Sequence, residues 1–488
     1  MAESPLKILM VASEGIPFAK TGGLADVVGS LPPALADLGH RIRLVMPWYR
    51  QAHDYCGSVP ARRCKLAVPM GGRVYLVNSR SVTHRGVSVD FIDWPEFYDR
   101  PELYGEEGRD YADNGERFAL LSRAALELCR QRNWRPDVVH AHDWQTGLVP
   151  VFLHNNLWRD PFFKTTGSLF SIHNLGYQGL FPLTVGPLLA LDADMLTADG
   201  LEYHGQVSFL KGGIRFANQV NTVSPTYCQE IQTPQQGMGM DGLLRARSDR
   251  LHGILNGLDG TLWSPERDQA LPESYTATDL SGKRTCKAHL QNELALDRSP
   301  LTPIVAMITR LDAQKGIELV LESWDRILQH DLQLVILGTG SPDFEKRLAA
   351  AARFYPGRAR VLLRFDDALS RRIYAGSDLF LMPSRYEPCG LGQLIALRYG
   401  SVPVVHATGG LKDTIVDPRQ APQAANGFVF DEYRHHSLLA CLERALSHYA
   451  REEAWAQLIR QGMQEDTSWQ NAAQDYVTLY RNCTRTPS

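Results

Sequence analysis

The residues in this sequence that could do chemistry gather in short loops that follow apolar runs. In "KTGGL", Lys20 precedes Gly22 and Gly23, and the pair opens into a helical pattern. Glycines at a helix start let backbone N–H groups approach an anion, which the helix dipole also favours. "ITRLDAQKG" sets Arg310 and Lys315 on one loop. A planar guanidinium fork beside a compact ammonium suits a diphosphate. "ATGGLKDTI" repeats the first layout, with Gly409 and Gly410 expected to supply backbone donors to the same diphosphate. "SRYEPCGLGQLIALRYG" delivers Glu387 and Cys389 to the start of another helix. Glu387 there reads either as a surface acid that satisfies the helix dipole or as a carboxylate held at a ligand site. Cys389 reads either as a thiol activated by a helix N-terminus or as a packing residue. In "VVHAHDW" and "SIHNLGYQG", Asp143 and His173 stand at strand exits. Asp143 is placed to meet a sugar hydroxyl, and Tyr177 to serve as a sugar platform. Together these groups point to a nucleotide-sugar donor held by the second half of the chain.

Other chemistries fit less well. The lysine of "KTGGL" precedes its glycines, so the loop is not GxxxxGK[ST]. The missing GxGxxG argues against hydride transfer, and no GxSxG elbow supports a serine hydrolase. His140 and His142 resemble a metal cluster with Asp143, but satisfied core histidines are the commoner outcome of such a strand, and no metal is assigned.

These loops need a frame. Apolar runs such as "LKILMVAS", "PDVVHAHD", "PIVAMITR", "LQLVILGTG" and "DLFLMPS" alternate with helical periods nearly throughout. That alternation predicts an α/β chain with two parallel sheets covered by helices on both faces. A length of 488 residues exceeds one ordinary core. The turn-rich stretch from "LHGILNGLDG" to "DLSGKRTCKAHLQ" marks the expected boundary. A net charge of −3 points to no nucleic-acid or membrane partner. Eight cysteines without CxxC pairs, and a first apolar run too short for a span or a signal peptide, point to the cytoplasm.

Motifs from residue 20 to near residue 480 resemble, in order, those of the bacterial and plant glycogen/starch synthases. They are "KTGGLADVVGSLP", "HAHDWQTGLVP", "SIHNLGYQG", "GMGMDGLL", "ILNGLDGTLWSP", "TRLDAQKG", "SRYEPCGLGQ", "ATGGLKDT" and "TSWQNAAQDYVTLY". The resemblance implies a GT-B fold, with two Rossmann-like doubly wound domains facing a deep interdomain cleft. The implied domains are 1–251 on the acceptor side and 252–467 on the donor side, with 468–488 as a helix crossing back to the first. It implies transfer of glucose from ADP-glucose to the non-reducing 4-hydroxyl of an α-1,4-glucan, with retention and without metal or cofactor. Arg310 and Lys315 would grip the diphosphate, with Lys20, Gly22 and Gly23 approaching from the first domain. Phe365 would stack on the adenine, and Glu387 would bind glucose hydroxyls and support positive charge at the anomeric carbon. His173 and Asp143 would lie at the sugar. Asn256, Cys389, Gly390, Leu391, Thr408, Gly409 and Gly410 would complete the donor pocket. Gly392 stands where some relatives carry Thr. A glucan phosphorylase shares the implied fold but needs a pyridoxal-bearing lysine and a longer chain.

Overall fold

The computed structural model describes residues 4–57, 62–106, 108–155, 157 and 159–485. The chain divides into two compact units. One comprises 1–257 with 469–488, and the other comprises 258–468. The first unit therefore runs past the expected boundary at 251, and it takes "HGILNG" with it.

The first unit is built on a nine-stranded sheet. Its strands are β1 (Lys7–Val11), β2 (Arg41–Pro47), β3 (Arg62–Met70), β4 (Arg73–His84), β5 (Val87–Asp93), β6 (Val138–His142), β7 (Gly167–Ile172), β8 (Gln219–Thr222) and β9 (Leu251–Gly253). Their order across the sheet is β9-β8-β7-β6-β1-β2-β5-β4-β3. All neighbours from β9 to β5 run parallel. Ile8, Leu9, Met10 and Val11 are fully buried, as a strand covered on both faces requires. β3 and β4 form an antiparallel hairpin at one edge. Its turn residues Gly71 and Gly72 both have positive φ, which suits a tight two-residue hairpin loop. Helix α1 (Gly23–Asp37) follows β1. The C-terminal helix, Trp469–Arg485, packs in this unit with Tyr476 and Tyr480 fully buried.

The second unit holds a six-stranded, all-parallel sheet. Its strands are β10 (Ile304–Ile308), β11 (Gln333–Leu337), β12 (Ala359–Leu362), β13 (Leu379–Met382), β14 (Val402–His406) and β15 (Phe428–Phe430). The order β12-β11-β10-β13-β14-β15 is the doubly wound 3-2-1-4-5-6 arrangement. Helices α2 (Ser281–Glu293), α3 (Ile317–Gln329), α4 (Gly392–Arg398) and α5 (Gly409–Thr414) belong to this unit. α2 occupies the turn-rich stretch in which the sequence shows no clear strands. Buried Lys283 anchors α2 by donating to the carbonyls of Ala375, Ser377 and Tyr399.

Strand order decides where a ligand can sit. In open α/β sheets the crevice opens where the winding direction reverses. That point falls between β1 and β6 in the first unit, and between β10 and β13 in the second.

Candidate active site

In the second unit, the loops after β10 and β13 flank the reversal point. The β10 loop carries Arg310 and Lys315, and the β13 loop carries Glu387. Lys315 Nζ lies 2.6 Å from Glu387 Oε2, and both side chains are largely buried. Ser384 Oγ donates to the same oxygen at 2.9 Å. Arg310 is held more loosely, with Asp312 at 3.5 Å and Gln314 at 3.4 Å, and its side chain is 51% exposed.

The two loops are stitched together. Arg385 N–H donates to the Gln314 carbonyl at 2.8 Å, and Gln314 Nε2 donates to the Tyr386 carbonyl at 3.3 Å. Gly316 has φ +72°, and a Cβ there would lie 2.0 Å from the Pro383 carbonyl oxygen. Only glycine allows that approach.

The glycines of "ATGGL" serve the same end. Cβ atoms at Gly409 and Gly410 would strike the carbonyl oxygens of Glu387 and Cys389 at 1.9 and 2.1 Å. Gly410 N–H donates to the carbonyls of Glu387 and Pro388 at 3.1 and 3.3 Å. This corrects the expectation of a free diphosphate donor at Gly410, because its amide is spent on fixing the Glu387 loop. Thr408 is buried at the N-terminus of α5. Gly390 has φ +78°, and Leu391 is the N-cap of α4. Cys389 is buried beside Gly410, which favours the packing reading over an exposed thiol. Phe365, in the loop after β12, is 85% exposed.

In the first unit, the loop after β1 is organised by Glu14, which is buried. Thr21 N–H and Gly22 N–H donate to its Oε2 at 2.5 and 3.1 Å. Thr21 Oγ1 and the Tyr104 hydroxyl each donate to its Oε1 at 2.6 Å. A carboxylate of the chain itself thus takes the Gly22 amide that the sequence reading reserved for a ligand. Gly22 is nonetheless exposed, its backbone is extended, and a Cβ there would meet nothing within 4 Å. The fold leaves open space above the start of α1. Gly23 is the first residue of that helix. Lys20 beside it is paired with Asp26 at 2.8 Å and is 41% exposed.

The loops after β6 and β7 bring Asp143 and His173 together. Asp143 Oδ1 accepts from the His173 N–H at 2.7 Å. Asp143 sits at φ 56°, ψ −177°, a region occupied almost only by glycine, which costs on the order of 1–3 kcal/mol. Burial pushes its carboxyl up to about 7, against the lowering effect of the His173 and Asn174 amides. Burial likewise pushes His173 down to about 3. His142 Nδ1 lies 3.0 Å from His173 Nε2. His140 and His142 are core residues with ring centroids 3.9 Å apart. His140 meets the expectation of a satisfied core histidine, whereas His142 Nε2 has no hydrogen-bond partner among the described residues. His140 is tied to the Tyr480 hydroxyl at 2.8 Å and to Ser171 Oγ at 2.6 Å. The C-terminal helix is thereby linked to the histidine stack. Tyr177 is half-exposed, as a platform residue needs. Asn256 is buried and belongs to the first unit, not to the second as expected.

Sequence reading overlooked Glu14, Ser384, Tyr104 and the Tyr480 link. An acid directly after a buried strand was the available signal for Glu14. Tyr104 and Tyr480 act through contacts distant in sequence and leave no local pattern, whereas Ser384 stands three residues before the carboxylate it serves.

Comparison with known proteins decides the family. Residues 7–246 match the starch synthase catalytic domain, and residues 296–462 match the glycosyl transferases group 1. A glycogen synthase of Syntrophotalea carbinolica is 49% identical, with 98% of each chain covered. The chain belongs to the glycogen synthase family. Glycogen synthase 2 of Geobacter sulfurreducens is 45% identical, again over 98% of each chain. The catalytic domain of starch synthase IV from Arabidopsis thaliana, solved with ADP and acarbose, superposes with a TM-score of 0.91 at 36% identity. That match covers 99% of this chain and all of the plant domain. The family assignment carries the GT-B class and a glucosyltransferase activity of the glycogen synthase type.

Proposed function

We propose that this enzyme transfers glucose from ADP-glucose to the non-reducing 4-hydroxyl of an α-1,4-glucan, with retention of configuration. The observation that carries this reading is the Lys315–Glu387 pair, at 2.6 Å across the reversal point of the second sheet. Cleavage of a nucleotide-sugar bond develops positive charge on the anomeric carbon and negative charge on the adjoining diphosphate oxygen. A site for that reaction needs a carboxylate and a cation side by side. Without substrate the two groups neutralise each other.

Bound donor would redirect them. Lys315 and Arg310 take the diphosphate, and Glu387 is left to hold glucose hydroxyls and steady the oxocarbenium-like centre. Phe365 offers its face to the adenine. His173 and Asp143 are assigned to the sugar, and Lys20 to the donor anion. Gly22 and Gly23 leave room for its approach and do not supply the Gly22 amide, which Glu14 holds. No second carboxylate is assigned as a nucleophile of the kind retaining hydrolases use. The departing diphosphate takes the proton of the attacking hydroxyl on the same face of the sugar. Cations and helix termini neutralise the diphosphate, so no divalent metal is required. The eight cysteines are all free, which fits a reducing cytoplasm.

The test is donor consumption with ADP-glucose or UDP-glucose, with and without glycogen and a chelator. We expect glycogen-dependent turnover, a clear preference for ADP-glucose, α-configured product and no effect of the chelator. Comparable kcat/KM for both donors would overturn the donor assignment. Loss of turnover on chelation, restored by metal, would overturn the metal-free reading.

A further inference from the structure

The histidine stack of the first unit contains two rings, His140 and His142, that the proposed chemistry does not use, and they differ in how they are satisfied. His142 is fully buried, and among the described residues its one hydrogen-bond partner on the imidazole is His173, with Nδ1 to Nε2 at 3.0 Å. Its other ring nitrogen, Nε2, is buried without a hydrogen-bond partner among the described residues. One of the two facing nitrogens must carry the proton and the other must accept it.

We propose that His142 is a positioning residue that fixes His173 as its Nδ1–H tautomer, so that this ring offers a hydrogen-bond donor to a sugar hydroxyl. The inference rests on the placement of His173 at the sugar, proposed above. Two proton arrangements satisfy the contact. In one, His142 carries its proton on Nε2 and accepts from His173. That leaves a polar N–H buried with nothing to receive it, and orphaned buried donors are rare. In the other, His142 carries its proton on Nδ1 and donates to His173 Nε2. Only a bare ring nitrogen then faces the core. The second arrangement places the single proton of neutral His173 on Nδ1, the nitrogen left to meet a ligand.

The surroundings hold His142 in place. Its ring is stacked on His140, whose own nitrogens are both occupied, by Tyr480 and Ser171. Its backbone N–H donates to Thr146 Oγ1 at 2.6 Å. Burial holds both His142 and His173 below the ordinary imidazole range, so each ring has one proton to place.

The experiment is a two-bond ¹H–¹⁵N correlation spectrum of the full chain labelled at histidine, which separates the two tautomers. His173 is identified by the signals that vanish in His173→Gln. We expect an Nδ1–H pattern in the wild type. In His142→Leu the His173 signals should move towards a tautomer mixture, with kcat down about tenfold for one lost oriented hydrogen bond. His142→Asn, whose amide can donate from nearly the same place, should restore both signals and turnover. An Nε2–H pattern in the wild type would overturn the proposal without any variant having to fold. An Nδ1–H pattern with unchanged kcat in folded His173→Gln would instead overturn the placement of His173 at the sugar.

Discussion

Each unit places a buried glutamate just beyond a central strand, and the two are used differently. Glu14 follows β1 and accepts four hydrogen bonds from Thr21, Gly22 and Tyr104, spread over both oxygens. Every donor is neutral and belongs to the same unit. Glu387 follows β13 and meets a lysine and a serine hydroxyl on one oxygen. The first carboxylate is saturated by its own fold and builds a loop. The second is paired with a lysine cation that a diphosphate can take from it. Burial and position are therefore not enough to identify a reacting carboxylate, and the nature of its partners separates the two.

The widest gap between the two glutamates should appear in turnover. Glu387→Gln keeps the shape of the side chain but removes the charge that supports the anomeric centre. We expect kcat to fall about 10²–10³-fold, the loss typical of one preorganised electrostatic group, with donor KM changed far less. Initial-rate kinetics at saturating glycogen would measure this. A variant altered only in KM would make Glu387 a ground-state binder and erase the contrast with Glu14.

The cations come next. Lys315→Ala and Arg310→Ala should each lower kcat by about ten- to a hundredfold, since a hydrogen bond to a charged group is worth roughly 1.5–3 kcal/mol. Lys315 should cost more. It is the better buried of the two, and its loss also leaves Glu387 without a counter-ion, whereas Arg310 is half-exposed. Arg310→Lys should recover only part of the loss, because the bidentate fork is absent. Near-normal kcat in both folded alanine variants would return them to ordinary loop charges.

For Glu14 the balance should reverse. Glu14→Gln puts an NH₂ group where only acceptors fit, so at least one of its donors loses its partner. We expect about 2 kcal/mol of lost stability from one broken charge-assisted bond. Turnover should fall by no more than about tenfold, through misplacement of the loop that carries Lys20. Thermal denaturation beside kinetics separates these outcomes. A Tm unchanged in Glu14→Gln, with turnover abolished, would make Glu14 a reacting group.

The contrast also shows what the sequence can carry. Parallel strands such as "LKILMVAS" and "LQLVILGTG" are legible because burial on both faces demands unbroken apolar runs. The β3–β4 hairpin went unread, although "MGGR" marks its turn, because its strands alternate with exposed Arg, Lys and Val. Candidate loops could be located simply by following each strand to its end. What stayed hidden is how the amides are spent. Gly22 and Gly410 look like open donors in sequence, yet one serves the Glu14 carboxylate and the other the Glu387 and Pro388 carbonyls. Those partners are fixed by chain crossings that no local pattern encodes. The Lys315–Glu387 pair joins residues 72 positions apart, and it follows only once strand order places β10 beside β13.

The smallest effect should come from Phe365, the extreme case of a group the second unit holds in reserve. Its ring is 85% exposed, so the folded chain gains little from burying it. Phe365→Ala should therefore leave Tm within about one degree, unlike any change at Glu14. Stacking on a nucleobase is worth about 0.5–1.5 kcal/mol beyond area burial, which converts to at most about tenfold in donor KM. Because stacking holds the base equally before and during bond cleavage, kcat should stay near normal. Phe365→Tyr should preserve the ring face and the KM together. Isothermal titration with ADP would read the same loss without glycogen present. An unchanged ADP affinity in Phe365→Ala would mean that the exposed ring serves something other than the base, and that exposure alone does not mark a reserve group.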